Sequence, residues 1–274
     1  MEIIRYRLSI AQGLSWTVPP MNDPIQCHCR ELDRCNQRGG RMLSVFDLLA
    51  AGTLDLDLGA YLMARISRGA SFIVGAVPGG AGKTTVMCAL LNFVPAEVEL
   101  VAATPEVVSQ ASEAGTGSPY CYICHEIGAG SYFAYLWDED LRRYCRLAAA
   151  GHMLATNLHA DDPKQARDQV CRQNGVSEAD FRRFNLLMFL RVEGDYWNAR
   201  RQIVTVYESA GAGRHRLVYD VRSRTAPEVS GGGQAADLGY LQDCRKFLSR
   251  NLDAGTRTIE QSRYEVVKFL AEHE

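Results

Sequence analysis

Residues Ser71–Val86 read SFIVGAVPGGAGKTTV, and the fold follows from how that stretch divides. Ser71–Val74 is apolar and β-branched, which marks a short buried strand. Gly79-Gly80-Ala81-Gly82 then makes a turn, Lys83-Thr84-Thr85 follows, and Val86–Leu91 continues as an apolar helical run. A strand, a glycine-rich loop, Lys-Thr and a helix, in that order, form the arrangement that wraps a phosphate chain. Glycines at 79, 80 and 82 permit backbone conformations that a β-carbon forbids, so successive N–H groups can close on phosphate oxygens. The helix start adds the positive end of its dipole. On this reading Pro78, Gly79, Gly80, Ala81, Gly82, Lys83, Thr84 and Thr85 hold ATP or ADP. Lys83 reaches the β- and γ-phosphates, and the Thr84 hydroxyl holds Mg²⁺. The pattern G-x-x-x-x-G-K-[ST] is broken at one place, where Val77 occupies the first glycine slot. The competing reading is a strand-to-helix turn that ends in Gly-Lys-Thr by coincidence.

Bulk properties narrow the class. A chain of 274 residues holds one large domain or a core with small appendages. Hydrophobic residues at 47% and charged residues at 23% support a sizeable buried core. A net charge of −2 gives no reason to expect nucleic acid or an anionic membrane as a direct partner. No apolar run approaches the ~18 residues that cross a bilayer, so no transmembrane segment is expected. The N-terminus carries an early acid and lacks a long apolar core, so no signal peptide is expected either. Nine scattered cysteines, an odd number, fit free thiols in a reducing cytoplasm.

Along the chain, residues 1–43 read as an irregular arm with a short strand at Arg5–Ile10, broken by Pro19, Pro20, Pro24 and Gly39-Gly40. Cys27, His28, Cys29 and Cys35 in that arm read either as a zinc site or as surface thiols. Ser44 and Asp47 are spaced as a capping box for a helix that Gly52 stops, and a second helix covers Leu56–Arg68. Val98–Ala102 reads as a strand, Thr104-Pro105-Glu106 as its exit turn, and Ser109–Ser118 as a loop. Pro119–Ile127 is the next strand, followed by a mostly helical stretch through Ser131–Trp137 and Asp138–Ala150. Cys121 and Cys124 in that strand face opposite ways and read as core residues. Met153–Leu158 forms a strand that delivers His159 at its end, and helices are expected from Pro163 and Ser177. Leu186–Val192 and Gln202–Tyr207 pair as a hairpin, and Arg216–Val221 adds a strand. A hinge at Ser230–Gly233 precedes helices near Asp237–Ser249 and Thr258–Glu272. The expected organisation is an irregular arm at 1–43, an α/β core at 44–225 built on a mainly parallel sheet, and a helical appendage at 226–274.

The motifs in this core carry a resemblance. Asp47–Leu54, the glycine-rich loop, Val101–Val107 (VAATPEV), Cys124–Ile127 (CHEI), Gly151-His152 with Thr156–Asp161 (TNLHAD), and Arg201–Glu208 (RQIVTVYE) appear in the order found in the type II and type IV secretion and pilus-assembly ATPases. The stretch from 44 to about 210 most resembles the branch that drives Flp-type pili and type IV secretion. The resemblance implies a P-loop NTPase of RecA-like fold and a hexameric ring with nucleotide between subunits. It also implies secretion or pilus assembly proteins of the inner membrane as partners, and a place in the cytoplasm or against that membrane. It puts Glu126 at the end of the Walker B strand, orienting water, Glu106 in the acidic box and His159 in the histidine box as further candidate catalytic residues. The chain departs from the family pattern at Ala102 and Ala103, where acids are usual, and at Gly128, where an arginine is usual. Val107–Tyr120 lacks the family's arginines, and residues 1–43 are too few for its N-terminal domain.

Phosphoryl transfer needs positive charge on the departing phosphate beyond Lys and Mg²⁺. Arg65, Arg68, Arg142, Arg143 and Arg146 are the candidates, acting in this chain or across a subunit boundary. The leading expectation is therefore an ATP-hydrolysing motor. A nucleotide-binding scaffold or regulatory subunit with little hydrolysis is the alternative, and a small-molecule kinase using the same loop is a third.

Overall fold

The structure is a computed structural model describing residues 23–36, 40–77, 79–114, 118–194, 199–211, 213–223 and 235–273. Three helices, α1 (Pro24–Arg34), α2 (Val45–Ala50) and α3 (Leu56–Ile66), lead into strand β1 (Phe72–Gly75). Then come α4 (Lys83–Leu91), β2 (Glu99–Ala102), α5 (Pro105–Ala114), β3 (Tyr120–Ile127), β4 (Tyr135–Leu136), α6 (Asp138–Leu147) and β5 (Met153–Leu158). Helix α7 (Pro163–Arg167) widens into a π-helical turn at Asp168–Gln173, and α8 (Glu178–Phe181) follows. Strands β6 (Leu186–Glu193), β7 (Arg200–Glu208) and β8 (Arg216–Asp220) precede the last helices, α9 (Ala235–Asp253) and α10 (Ile259–Ala271).

The strands form one sheet in the order β2-β3-β5-β1-β6-β7-β8, with β4 against β3. Pairing is parallel from β2 through β6, and β7 and β8 continue the sheet antiparallel. Side chains alternate between the faces of β1. Phe72 and Val74 enter a core built with α1 to α4, α9 and α10, whereas Ile73 enters one built with α5 to α8. Helices therefore cover both faces, as a largely parallel sheet requires. Cys121 and Cys124 likewise fall in opposite cores. Because β1, β3 and β5 run parallel, their C-terminal ends open at one edge, where doubly covered sheets place ligands.

Local chemistry explains most boundaries. Ser44 and Asp47 make the reciprocal capping box of α2, and Gly52, at φ 67°, turns the chain after it. Three expectations need correction. Pro24–Arg34, read within an irregular arm, is a helix: Pro24 fits its first turn, the Asp23 carboxylate accepts the Ile25 N–H at 3.0 Å, and Cys29 and Leu32 are buried beneath it. Pro105–Ala114, read as a turn and loop, is also a helix. The Thr104 hydroxyl accepts the Val107 N–H at 3.4 Å, and buried Val108 supplies an anchor that the small polar residues around it conceal. Ser131–Trp137, placed in a helical stretch, contains β4, whose Tyr135 and Leu136 pair with Glu126 and Ile127. The strand expected at Arg5–Ile10 and the hinge at Ser230–Gly233 lie outside the described residues, as does Pro78. Helices α9 and α10, expected as an appendage, share the core that holds Phe72, through Cys244, Phe247, Leu248, Val266 and Phe269.

Candidate functional site

The loop between β1 and α4 is held from both sides. The Val77 N–H donates to the Asp161 carboxylate at 2.8 Å, fixing the first residue of the loop to the segment after β5. Gly80 and Gly82 adopt φ of 79° and 91°, in the left-handed region that favours glycine. No side chain caps α4 at Gly82, so the first-turn N–H groups of that helix are left for the loop interior or a ligand.

Lys83 is 8% exposed and stands at the centre of the site. Its Nζ lies 3.4 Å from the Ala76 carbonyl, 3.4 Å from His159 Nδ1 and 3.4 Å from Glu126 Oε2. The His159 Nδ1 is also 3.2 Å from the Val77 carbonyl, and its Nε2 is 3.9 Å from Glu126 Oε1. Glu126 is 7% exposed, and its Oε1 has no hydrogen-bond partner. Burial pushes the Glu126 carboxyl up from its ordinary value, against the opposing pull of Lys83 and then His159. Thr84 is half-buried, and its hydroxyl accepts from Asn157 Nδ2 at 3.4 Å. The same amide donates to the His125 carbonyl at 2.8 Å, tying β5 to β3 behind the site.

These groups line a cleft of about 530 Å³, large enough for a small organic ligand. Residues 79–85, Glu126 and His159 line it, together with Cys35, Arg41 and Met42. A second hollow of about 340 Å³ lies beyond the loop, where Leu43, Leu48, Val86 and Arg201 meet. Buried, opposite charges beside a loop of open backbone N–H groups suit the binding of a polyanion, with a carboxylate left to accept a proton or orient water.

The structure brings together most of the residues that the sequence singles out, but not Glu106. That residue is exposed on α5 and faces a separate hollow lined by Thr104, Tyr132 and Trp137. Its carboxyl is held below the usual range first by its own backbone N–H and then by Thr104, which is the behaviour of a helix-start acid. None of the five candidate arginines lines the cleft. Arg65 pairs with Glu208, Arg68 with Asp237, Arg142 with Glu139, and Arg143 with Glu139 and Asp140, while Arg146 is exposed on α6. Among the described residues, Arg41 lines the cleft, and Arg200 and Arg201 line the second hollow beside the loop. Arg41 is gripped by the Asp47 carboxylate at 2.8 and 3.0 Å, and Arg201 Nε donates to the Gly80 carbonyl at 3.1 Å. Arg201 sits 121 residues from Gly80, so nothing local marks it. Asn157 and Asp161, by contrast, flank His159 inside a motif already visible in the sequence.

Cys27, His28, Cys29 and Cys35 do not converge. Cys27 accepts from Arg30, Cys29 is in the core, His28 is buried near Leu91 and Asn92, and Cys35 lines the cleft. Among the described residues no group of three or more His, Cys, Asp or Glu side chains is placed to hold a metal. Nor are these thiols on the surface as a set, since Cys29 and Cys35 are 3% and 2% exposed.

No protein-family model matches the sequence, and no curated protein does. Among solved structures, a match is found to the VirB11 ATPase from the Brucella suis type IV secretion system in complex with sulphate. It has 17% identity and a TM-score of 0.41, and covers 70% of this chain and 59% of that one. The chain thus spans less than two thirds of the length of that neighbour. No helix among the described residues is long and apolar enough to cross a membrane.

Proposed function

We propose that the cleft binds ATP with Mg²⁺ and that the protein hydrolyses it, as a P-loop NTPase of RecA-like fold. The observation that carries this reading is the meeting of Lys83, Glu126 and His159 at a glycine-rich loop whose following helix has no side-chain cap. The loop amides and Lys83 bind the phosphates, and Lys83 exchanges its contact with Glu126 for the terminal oxygens. The donor set fits Mg²⁺ through its oxygens: the Thr84 hydroxyl is half-buried in the cleft wall, and Glu126 keeps one buried oxygen without a partner. When bound, the ion neutralises charge on the phosphate oxygens. Glu126 orients the attacking water, and His159 stands between that carboxylate, Lys83 and the Val77 carbonyl, with Nδ1 able to hold one of the last two at a time. Residues 44–225 form the nucleotide-binding core on this reading. The motif order supports a secretion or pilus motor at the inner membrane, working as a hexameric ring.

A nucleotide-binding scaffold is the second reading, favoured by one specific observation. Two of the described arginines beside the loop are already engaged, Arg41 by Asp47 and Arg201 by Gly80, so neither is free to supply the extra cation that fast phosphoryl transfer needs without a rearrangement. Steady-state ATP hydrolysis with Mg²⁺, measured beside the mass in solution, separates the two. Turnover that rises as the protein assembles supports the motor. Tight binding by a monomer or dimer without turnover supports the scaffold.

A further inference from the structure

The nucleotide reading leaves an aromatic hollow beside the cleft unused. Tyr135 lines both the cleft and this hollow of about 430 Å³, whose lining also includes Glu106, Tyr132, Phe133, Trp137 and Asp140. The backbone beneath it is fixed. Tyr135 and Leu136 pair with Glu126 and Ile127, the Gly128 N–H donates to the Leu136 carbonyl at 3.2 Å, and the His125 N–H donates to the Ala134 carbonyl at 2.8 Å. The Tyr135 N–H donates to the Tyr132 carbonyl at 3.2 Å, and the two rings form a corner, with centroids 5.0 Å apart and planes at 52°. Tyr132 is nevertheless 68% exposed and Phe133 43%, so this braced loop presents rings to solvent that no described residue covers.

Charge points to the kind of group that fits. The lining holds two carboxylates and, among the described residues, no lysine or arginine. Asp140 meets Arg143 at 3.5 Å in an exposed pair, and no described cation is paired with Glu106. Ring faces attract cations, and a carboxylate beside them strengthens the attraction. The loop already shows this affinity, because the Arg34 guanidinium lies over the Phe133 ring, 5.2 Å from its centroid. A planar guanidinium can stack on a ring while its N–H groups reach a carboxylate, which a compact ammonium cannot do. The exposed rim points to the size of the ligand. Exposed tyrosines around a pocket that takes an arginine are typical of protein interfaces, and a free small cation would leave Tyr132 and Phe133 in water.

We propose that this hollow is a docking pocket for an arginine side chain carried by a partner protein. The guanidinium stacks in the Tyr132–Tyr135 corner and pairs with Glu106, and apolar residues on either side of the arginine cover Phe133 and the exposed part of Tyr132. Because Tyr135 is paired in register with Glu126, a partner seated there abuts the cleft. Docking does not depend on what fills the cleft.

The test titrates the full, folded chain with N-acetyl-Leu-Arg-Leu-amide and follows the indole N–H of Trp137 by NMR, its signal assigned with Trp137→Phe. A saturable shift is expected, with binding about ten-fold weaker or worse for the citrulline peptide, which keeps the shape and drops the charge. Glu106→Gln and Tyr132→Ala alter exposed residues, and with folding checked by circular dichroism each should weaken binding about five-fold or more. Gly128→Arg fills the hollow from within. A β-carbon at 128 would lie 3.6 Å from Glu126 Cγ and 3.7 Å from Tyr135 Cδ2, ordinary contact distances, so the fold accepts it and the peptide is shut out. No shift, equal binding of the citrulline peptide, or unchanged affinity in these three variants overturns the assignment. N-acetyl-arginine-amide binding as tightly as the longer peptide would make this a small-cation site and overturn the protein partner. Self-association of the free chain that Tyr132→Ala reverses would put a second copy there, and overturns it too.

Discussion

Replacing Arg263 with methionine tests how the last helix is joined to the nucleotide loop. Arg263, on α10, is 2% exposed and has no carboxylate partner among the described residues. Its guanidinium instead donates to three carbonyls at the end of α4: Asn92 at 3.0 Å, Val94 at 2.5 Å and Pro95 at 3.2 Å. This positive group also meets the negative end of the α4 dipole. Burial lowers the Arg263 pKa to about 10 from 12.5, which corresponds to roughly 3 kcal/mol against the charged form. Three hydrogen bonds from a charged donor return about 1.5–3 kcal/mol each, so the net contribution is favourable by a few kcal/mol. Methionine keeps most of the packing and removes the desolvation cost, but it leaves those carbonyls without a donor. The expected loss is about 2–5 kcal/mol in urea unfolding, with lysine in between because it can satisfy only part of the set. A loss under about 0.5 kcal/mol would show that water reaches these carbonyls and that α10 is not anchored through them.

Three further outcomes follow from the same contacts. Gly75→Ala places a β-carbon 2.6 Å from the Ala160 carbonyl and 2.7 Å from Phe189 Cδ1, so β1 must shift. It should cost about 1–3 kcal/mol in thermal or urea unfolding and weaken ATP binding, since β1 feeds the loop; wild-type stability and affinity together would contradict the packing. Burial, then the nearby Arg263, hold the His28 pKa well below 6.5, so its contribution is present above about 6.5 and is lost as the pH falls through the folded value. Stability measured from pH 7 to 5 should therefore fall more steeply than in His28→Gln, by up to about 1.4 kcal/mol per pH unit; parallel curves would refute a buried neutral His28. Glu126→Gln should keep ATP affinity within a few-fold while reducing any turnover by about 10²–10⁴, and full activity in that variant would remove Glu126 from the chemistry.

What the chain shows of itself depends on the range of the interaction. The β1–loop–α4 unit, the Ser44–Asp47 capping box and the opposite facing of Cys121 and Cys124 are local, and residue order alone reveals them. His159 is legible because a short strand delivers it next to Asn157 and Asp161. Helix α5 is hidden because Val108 is the one fully buried anchor among its described side chains, in a run of small polar residues. Strand β4 is too short to show alternation and exists through its pairing with Glu126 and Ile127. The misread cysteines have a related cause. Cys27, His28, Cys29 and Cys35 are close in sequence, but a helix turns them toward different neighbours. Arg201 and Arg41 reach the loop and the cleft from segments far away in the chain, so only the fold reveals them.

The central claim is that Lys83 and the loop before it bind a nucleotide. Calorimetric titration of Mg²⁺-ATP into the wild-type protein and Lys83→Ala, with folding of both checked by circular dichroism, tests it most directly. The expected result is measurable binding to the wild type and a loss of about a hundredfold or more in the variant, since one charged donor to phosphate is worth roughly 3 kcal/mol. Equal affinity in the two folded proteins would contradict the claim.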